Sequence, residues 1–215
     1  MRRRFYIPAV LLAASFGVRA DIIYNDPLTW LSAVGGPVAT VNFEGLVAPG
    51  TFSFLGSGAG ANTTLGGVNF SVGPSSNGDL FLIGDNLYFP GTAAISSQQS
   101  TTAFNDLRIT LATSVAALGF YFGDFGGDTA RITLSDGTIA LPTAVMAPFL
   151  GFFGVTTSGA GINSVDISTP DPVMNVSAVL FGANSSTPEP AAPLLVGTVI
   201  VLAGFMFRKR SQRGF

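Results

Sequence analysis

Two carboxylates four residues apart, Asp124 and Asp128, bracket Phe125-Gly126-Gly127 in the segment of the chain best suited to chemistry. A glycine-rich loop lets carboxylate and backbone carbonyl oxygens wrap a hard cation. The ion expected there is calcium, with Glu44 and Asp166 as further donors if the fold brings them near. The spacing lacks the ligand order of an EF-hand, and acidic residues beside glycine are also ordinary turn formers. The 215 residues include no cysteine and no histidine. That excludes thiol chemistry, disulfide staples, the usual triads, the usual neutral-pH base and the common transition-metal ligand. Only carboxylates remain for acid–base work, and Glu44 with Asp124 is the pair on which a secreted glycan hydrolase would have to rest. No pair has a sequence context that would tune its pKa, so the expected class is not an enzyme.

Ligand binding is the other chemistry open. Tyr88 and Phe125 fall in predicted loops and are the expected stacking platforms for a sugar face, with Phe89, Tyr121 and Trp30 also considered. Trp30, in a predicted helix, is expected in the core. Asp79, Asp85 and Asn86 offer polar contacts around Leu80–Ile83. Against this stand 19 phenylalanines, most of which a sandwich core would consume. Between Asp21 and Thr187 only Arg108 and Arg131 face eleven acidic residues, a net charge of −9. Such a domain repels phosphate backbones, so nucleic acid is not an expected partner. The two arginines are expected to pair with Asp106, Asp124 or Asp128.

The elements that must position these residues are mostly strands. Asp26 as N-cap, Pro27 in the first turn and Gly35-Gly36-Pro37 as a stop predict one short helix, with Leu28 and Leu31 facing the core. After it, apolar and polar residues alternate at Val38–Phe43, Thr51–Leu55, Val68–Val72, Leu107–Leu111 and Ala130–Leu134, the strands expected at Leu118–Phe122 and Phe149–Val155 are aromatic-rich, and Ile162–Ile167 and Val176–Phe181 close the set. Glycine-rich turns separate them, and Asp136-Gly137 suits a type I′ hairpin. The fold class expected is all-β, an antiparallel β-sandwich of jelly-roll type with one short N-terminal helix.

The two ends read differently from the middle. Met1-Arg2-Arg3-Arg4, the apolar Phe5–Val18 and Val18-Arg19-Ala20 match a signal peptide, with cleavage by signal peptidase expected before Asp21. At the other end stand Pro188-Glu189-Pro190, a seventeen-residue apolar run from Ala191 to Phe207, and Arg208-Lys209-Arg210. Two prolines around a glutamate hold an extended stretch. The apolar run spans roughly 26 Å as a helix, and the basic cluster stops it on the cytoplasmic side. The expected organisation is therefore a signal peptide at 1–20, the sandwich at 21–182, a linker at 183–190, a transmembrane helix at 191–207 and a basic tail at 208–215.

This tripartite end resembles the PEP-CTERM sorting signal. The body is also similar to those of many such proteins, through Val41-Asn42-Phe43-Glu44-Gly45, Gly119-Phe120-Tyr121-Phe122-Gly123-Asp124 and a Phe-Phe-Gly-Val strand. Many members carry an acidic residue before the Asn-Val of their last strand; here Met174 stands before Asn175-Val176. These bodies look like the β-sandwiches of carbohydrate-binding modules. The resemblance implies an exosortase-type processing enzyme acting at Pro188–Pro190, a Gram-negative host and a surrounding of exopolysaccharide. It also implies export, anchorage in the inner membrane by the C-terminal helix, and then the cell surface or secretion after processing. A non-enzymatic surface or biofilm-matrix protein is the reading that follows, with a glycan hydrolase or a permanently tethered binding module as alternatives.

Overall fold

The computed structural model describes residues 21–73, 78–98, 105–142, 145–146, 149–159, 161–171 and 173–182. The expected signal peptide, Pro-Glu-Pro linker, apolar helix and basic tail lie outside the described residues. Among those described, no helix is long and apolar enough to cross a membrane.

In chain order the described elements are β1 (Ile22–Tyr24), α1 (Pro27–Val34), β2 (Val38–Asn42), β3 (Phe52–Ser57), β4 (Asn62–Leu65), β5 (Val68–Val72), β6 (Asp79–Ile83) and β7 (Ala94–Gln98). They continue as β8 (Asn105–Val115), β9 (Ala117–Asp124), β10 (Arg131–Leu134), β11 (Ile139–Ala140), β12 (Val145–Met146), β13 (Gly151–Thr156), β14 (Ile162–Thr169) and β15 (Val173–Gly182). A nine-stranded sheet runs β1-β13-β9-β15-β7-β6-β3, with β2 also beside β15 and β12 beside β9. A six-stranded sheet runs β11-β10-β14-β8-β5-β4. Pairing is antiparallel except between β12 and β9.

Strand alternation decides which side chains meet between the sheets. Phe70, Leu107, Ile109, Ile132, Val165 and Ile167 of the smaller sheet share one buried cluster with Leu80, Leu118, Phe120, Phe122, Val176 and Val179 of the larger. Each such side chain contributes about 1.5–3 kcal/mol through burial. This is the expected β-sandwich.

The helix forms where predicted. Asp26 accepts from the Thr29 N–H at 2.7 Å, Pro27 opens the first turn, and Gly35 closes it with φ +63°. Its packing differs from expectation. Leu28 is 75 % exposed and Leu31 is also exposed, while Trp30 is fully buried on the outer face of the larger sheet. An eight-residue helix offers one narrow stripe, and the indole, with the most apolar area, takes it. The hairpin also differs. Gly137 donates to the Leu134 carbonyl and Leu134 to Thr138, and Gly137 has positive φ whereas Asp136 does not. That is a three-residue loop, a turn followed by a left-handed glycine, not the type I′ turn. A further difference concerns phenylalanine. Phe52 and Phe54 on the edge strand β3 are exposed and stand edge-on to Phe81, with ring centroids 5.5 Å apart in each case.

Candidate functional site

The outer face of the nine-stranded sheet has one seam made by topology. Along one edge of β15, residues Val173–Val176 pair with β7, and residues Ala178–Gly182 pair with β2. Where one neighbour ends and the other begins, the register of β15 against β9 slips between Val176 and Ala178. A bulge of this kind turns two consecutive residues toward one side. Ser177 and Ala178 both border a cleft of about 430 Å³ that opens over this seam.

The strands that meet at the seam also supply the cleft's walls. Asn42 ends β2, and Glu44 follows it; Phe89 and Thr92 precede β7; Tyr121 comes from β9 and Phe149 from just before β13. Asn42 pairs with Ala178, and Ala178 with Tyr121, so their side chains share the outer face while Val41, Phe120 and Phe122 point into the core. The ring of Tyr121 is braced: it stands edge-on to Phe152 at 5.2 Å, and Phe152 lies against Trp30 at 5.7 Å. Phe149 is 70 % exposed at the rim.

Two loops close one end of the cleft. The Asp85 carbonyl accepts from the Gly50 N–H at 2.6 Å, and the Gly84 N–H donates to Thr51 at 2.9 Å. A side chain at Gly84 would run into the Ala48 carbonyl, so only glycine permits this approach. The stitch brings Glu44 and Asp85 together. Glu44 Oε1 accepts from the Ala93 N–H at 3.1 Å. Desolvation at the loop junction, with the Asp85 carboxyl beside it, holds Glu44 above the ordinary carboxylate range. Asp85 Oδ1 is sealed from solvent with no donor.

The Asp124 loop is a separate place. Asp124 is buried at the end of β9; its Oδ1 accepts from the Gly127 N–H at 2.6 Å and its Oδ2 from the Thr169 hydroxyl at 2.9 Å. Burial, and then the charges of Asp171 and Asp128, raise its pKa against those two hydrogen bonds. Asp128 Oδ2 and Asp171 Oδ2 both lie against the place that a side chain at Gly126 would occupy. The converging oxygens are thus those of Asp128 and Asp171, while Asp124 is engaged in holding the turn. Asp166, expected as a further donor, instead takes Arg108 in a bidentate pair at 2.6 and 2.7 Å. That also corrects the expected partners of Arg108. Among the described residues, no group of three or more acidic, histidine or cysteine side chains is arranged to hold a metal ion.

Tyr88 and Phe125 meet each other, edge to face at 5.1 Å, and do not border the cleft. Of the other aromatics considered from sequence, Phe89 and Tyr121 border it and Trp30 supports it from behind. Asn42, Ser177 and Phe149 were missed. No sequence signal marked the bulge, and Phe149 read as the start of a strand.

No protein-family model matches the chain, and no curated protein matches it in sequence. Among solved structures, it is similar to a family 29 carbohydrate-binding module at 11% identity, covering 66% of this chain and 95% of that one with a TM-score of 0.35. A variant of such a module in complex with mannohexaose is similar at 10% identity, covering 65% of this chain and 98% of that one, again with a TM-score of 0.35.

Proposed function

We propose that the protein is an exported, non-enzymatic surface or matrix protein that binds glycan in the cleft over the β15 bulge. The observation that carries the binding is the composition of the cleft. Tyr121 and Phe149 supply flat apolar surface over the buried ring of Phe89, and Asn42, Glu44, Thr92 and Ser177 supply hydrogen-bonding groups beside it. A sugar presents the matching pair of surfaces, an apolar ring face and a rim of hydroxyls. Export and sorting rest on the arginine-led apolar start and the Pro188–Arg210 end of the sequence.

Hydrolysis is not the reading the cleft supports best. Retaining glycosidases hold their two carboxyls about 5–5.5 Å apart and inverting ones about 6.5–9.5 Å. Of the pair on which hydrolysis would have to rest, Glu44 borders the cleft, whereas Asp124 does not and is engaged by the Gly127 N–H and the Thr169 hydroxyl.

The test uses the full-length protein in mild detergent with the host's exopolysaccharide. Binding without release of reducing ends is expected, and Tyr121→Ala and Phe149→Ala should each weaken it by about 0.5–1.5 kcal/mol. A protein that ignores every polysaccharide offered, or binding unmoved by both substitutions, would overturn the reading.

A further inference from the structure

An edge strand presents backbone N–H and C=O groups that its own sheet leaves open, and proteins blunt such edges with short strands, charges, proline or bulges. At the ends of the two sheets, β1 has three residues and β11 two, and β4 has polar side chains at Asn62, Thr63 and Thr64. β3 is different. Its Phe52-Ser53-Phe54 stretch holds no charge and no proline, and the bulge comes only after it, between Phe54 and Gly56. Residues 51–54 are all exposed, and among the described residues no strand pairs with this edge. The Gly84 N–H donates to the Thr51 carbonyl. By the antiparallel alternation Ser53 also turns its backbone groups toward β6, while Phe52 and Phe54 turn theirs to the open edge. The rings of both stand on the outer face against Phe81.

We infer that β3 pairs with β3 of a second copy of this chain, antiparallel about a two-fold axis at Ser53. The inference goes beyond the glycan reading and does not depend on it. The occupant follows from the strand itself. Open backbone groups call for another extended strand, and Phe52-Ser53-Phe54 reads the same in both directions. Set antiparallel against itself, it places Phe52 opposite Phe54 of the second copy, with backbone bonds between them, and Ser53 opposite Ser53. The four rings then make cross-strand aromatic pairs on one face, beside the Phe81 ring of each copy. Charge favours the same place. The domain is acidic, so two copies repel over most of their surface, and β3 itself carries no carboxylate. Pairing over so few residues belongs with small, weak interfaces, below about 1,200 Å². It joins the two nine-stranded sheets edge to edge, with their outer faces on the same side.

The chain has no cysteine, so a single introduced thiol reports the pairing alone. Ser53 would face its counterpart in a non-hydrogen-bonded pair, with Cα atoms about 4.5 Å apart, within the range a disulfide spans. The experiment uses the full-length protein in mild detergent under mild oxidation. Ser53→Cys should form a covalent dimer about tenfold or more faster than Ile22→Cys, an exposed residue on the opposite edge β1, because pairing raises the effective concentration of the thiol. Adding Phe54→Glu puts a charge on the edge and takes one ring from each cross-strand pair, and should abolish that advantage. Adding Thr64→Glu on the edge β4 supplies the same charge elsewhere, and should leave it intact. Sedimentation of the wild-type protein should show dimer growing with concentration, weakened about tenfold or more by Phe54→Glu. Cross-linking at residue 53 no faster than at residue 22 overturns the inference. So does an advantage that survives Phe54→Glu, or one that Thr64→Glu removes equally, since it would then follow net charge. Association equal in wild type and Phe54→Glu would belong to the apolar run at 191–207, and overturns it too. None of these outcomes bears on glycan binding, which the polysaccharide test reads separately.

Discussion

The indole N–H of Trp30 donates to the carbonyl of Val155 at 3.1 Å, across 125 residues of sequence. The bond is possible because Gly154 and Gly119 leave a hollow in the outer face of the larger sheet, into which the indole and Phe152 settle. The helix is thereby fixed to the sheet, and the ring that braces Tyr121 is fixed with it.

A methyl group at residue 154 would lie 2.6 Å from Trp30 Cδ1 and 2.7 Å from Phe152 Cε1. Gly154→Ala should therefore destabilise the protein by about 1–3 kcal/mol, as overpacked sites do. The backbone at this residue is not in the left-handed region, so the cost is steric alone. Urea unfolding measures it. If the cleft reading holds, glycan affinity should fall as well, because Phe152 cannot move without releasing Tyr121. A variant as stable as wild type would mean that the hollow closes over the methyl freely.

Much of the architecture was legible in the sequence, for reasons particular residues show. Val68-Asn69-Phe70-Ser71-Val72 alternates, so its period alone names a strand and its buried face. Asp26 and Gly35 mark the helix because caps have local chemistry. What escaped was relational. Asp166 lies opposite Arg108 through the register of β14 on β8, and no local pattern reports a partner 58 residues away. The cleft exists because β2 replaces β7 along β15, so its position is a property of strand order. Glu44 was singled out as a carboxylate and paired with Asp124; its neighbour is Asp85, brought to it by a loop contact that only Gly84 allows.

Asp124 sets a pH dependence whose sign follows from its burial. Its folded-state pKa is raised, so the folded protein holds the proton more tightly than the unfolded chain does. The stabilisation from that proton is fully present below the ordinary carboxylate pKa of about 3.9, and is lost as pH rises through the higher folded value. Asp171 ranks ahead of Asp128 among the charges that raise it. Asp171→Asn, which preserves an acceptor for the Val173 N–H, should bring Asp124 down more than Asp128→Asn does. Carbon-detected titration of the carboxyl groups, with urea unfolding across the same range, checks both the direction and the order. A pKa at or below the ordinary value would mean that the Gly127 and Thr169 hydrogen bonds outweigh burial.

The export proposal makes its own prediction, independent of the cleft. The mature chain should begin at Asp21, and replacing Arg2, Arg3 and Arg4 by glutamate should slow export by removing the charge that holds the leader inside. Glu189→Ala should accumulate a membrane-bound precursor if an exosortase-type enzyme reads Pro188-Glu189-Pro190. Terminal sequencing and mass measurement of released and membrane-held protein decide both. Release of the variant at the wild-type rate would leave the apolar run as a plain tail anchor, and would favour the tethered binding module.

Tyr88 and Phe125 offer a test of how an aromatic outside the cleft can govern it. Their edge-to-face contact at 5.1 Å ties the segment between β6 and β7 to the end of β9. That segment carries Asp85 and Phe89, and is otherwise held by local bonds: the Asn86 side chain accepts from the Gly91 N–H at 2.8 Å, and the Asn86 N–H donates to Phe89 at 3.1 Å. Phe125→Ala removes an aromatic pair worth about 0.5–1.5 kcal/mol beyond its buried area. Hydrogen exchange across residues 84–93 should quicken, and glycan affinity should fall several-fold because the wall bearing Phe89 and Thr92 is less often in place. A direct stacking role for Phe125 predicts another pattern, the same loss of affinity with exchange in the loop unchanged. An affinity and an exchange rate both equal to wild type would remove Phe125 from the binding account, and leave Asn86, through its left-handed backbone and its bond to Gly91, as what holds the loop over the cleft.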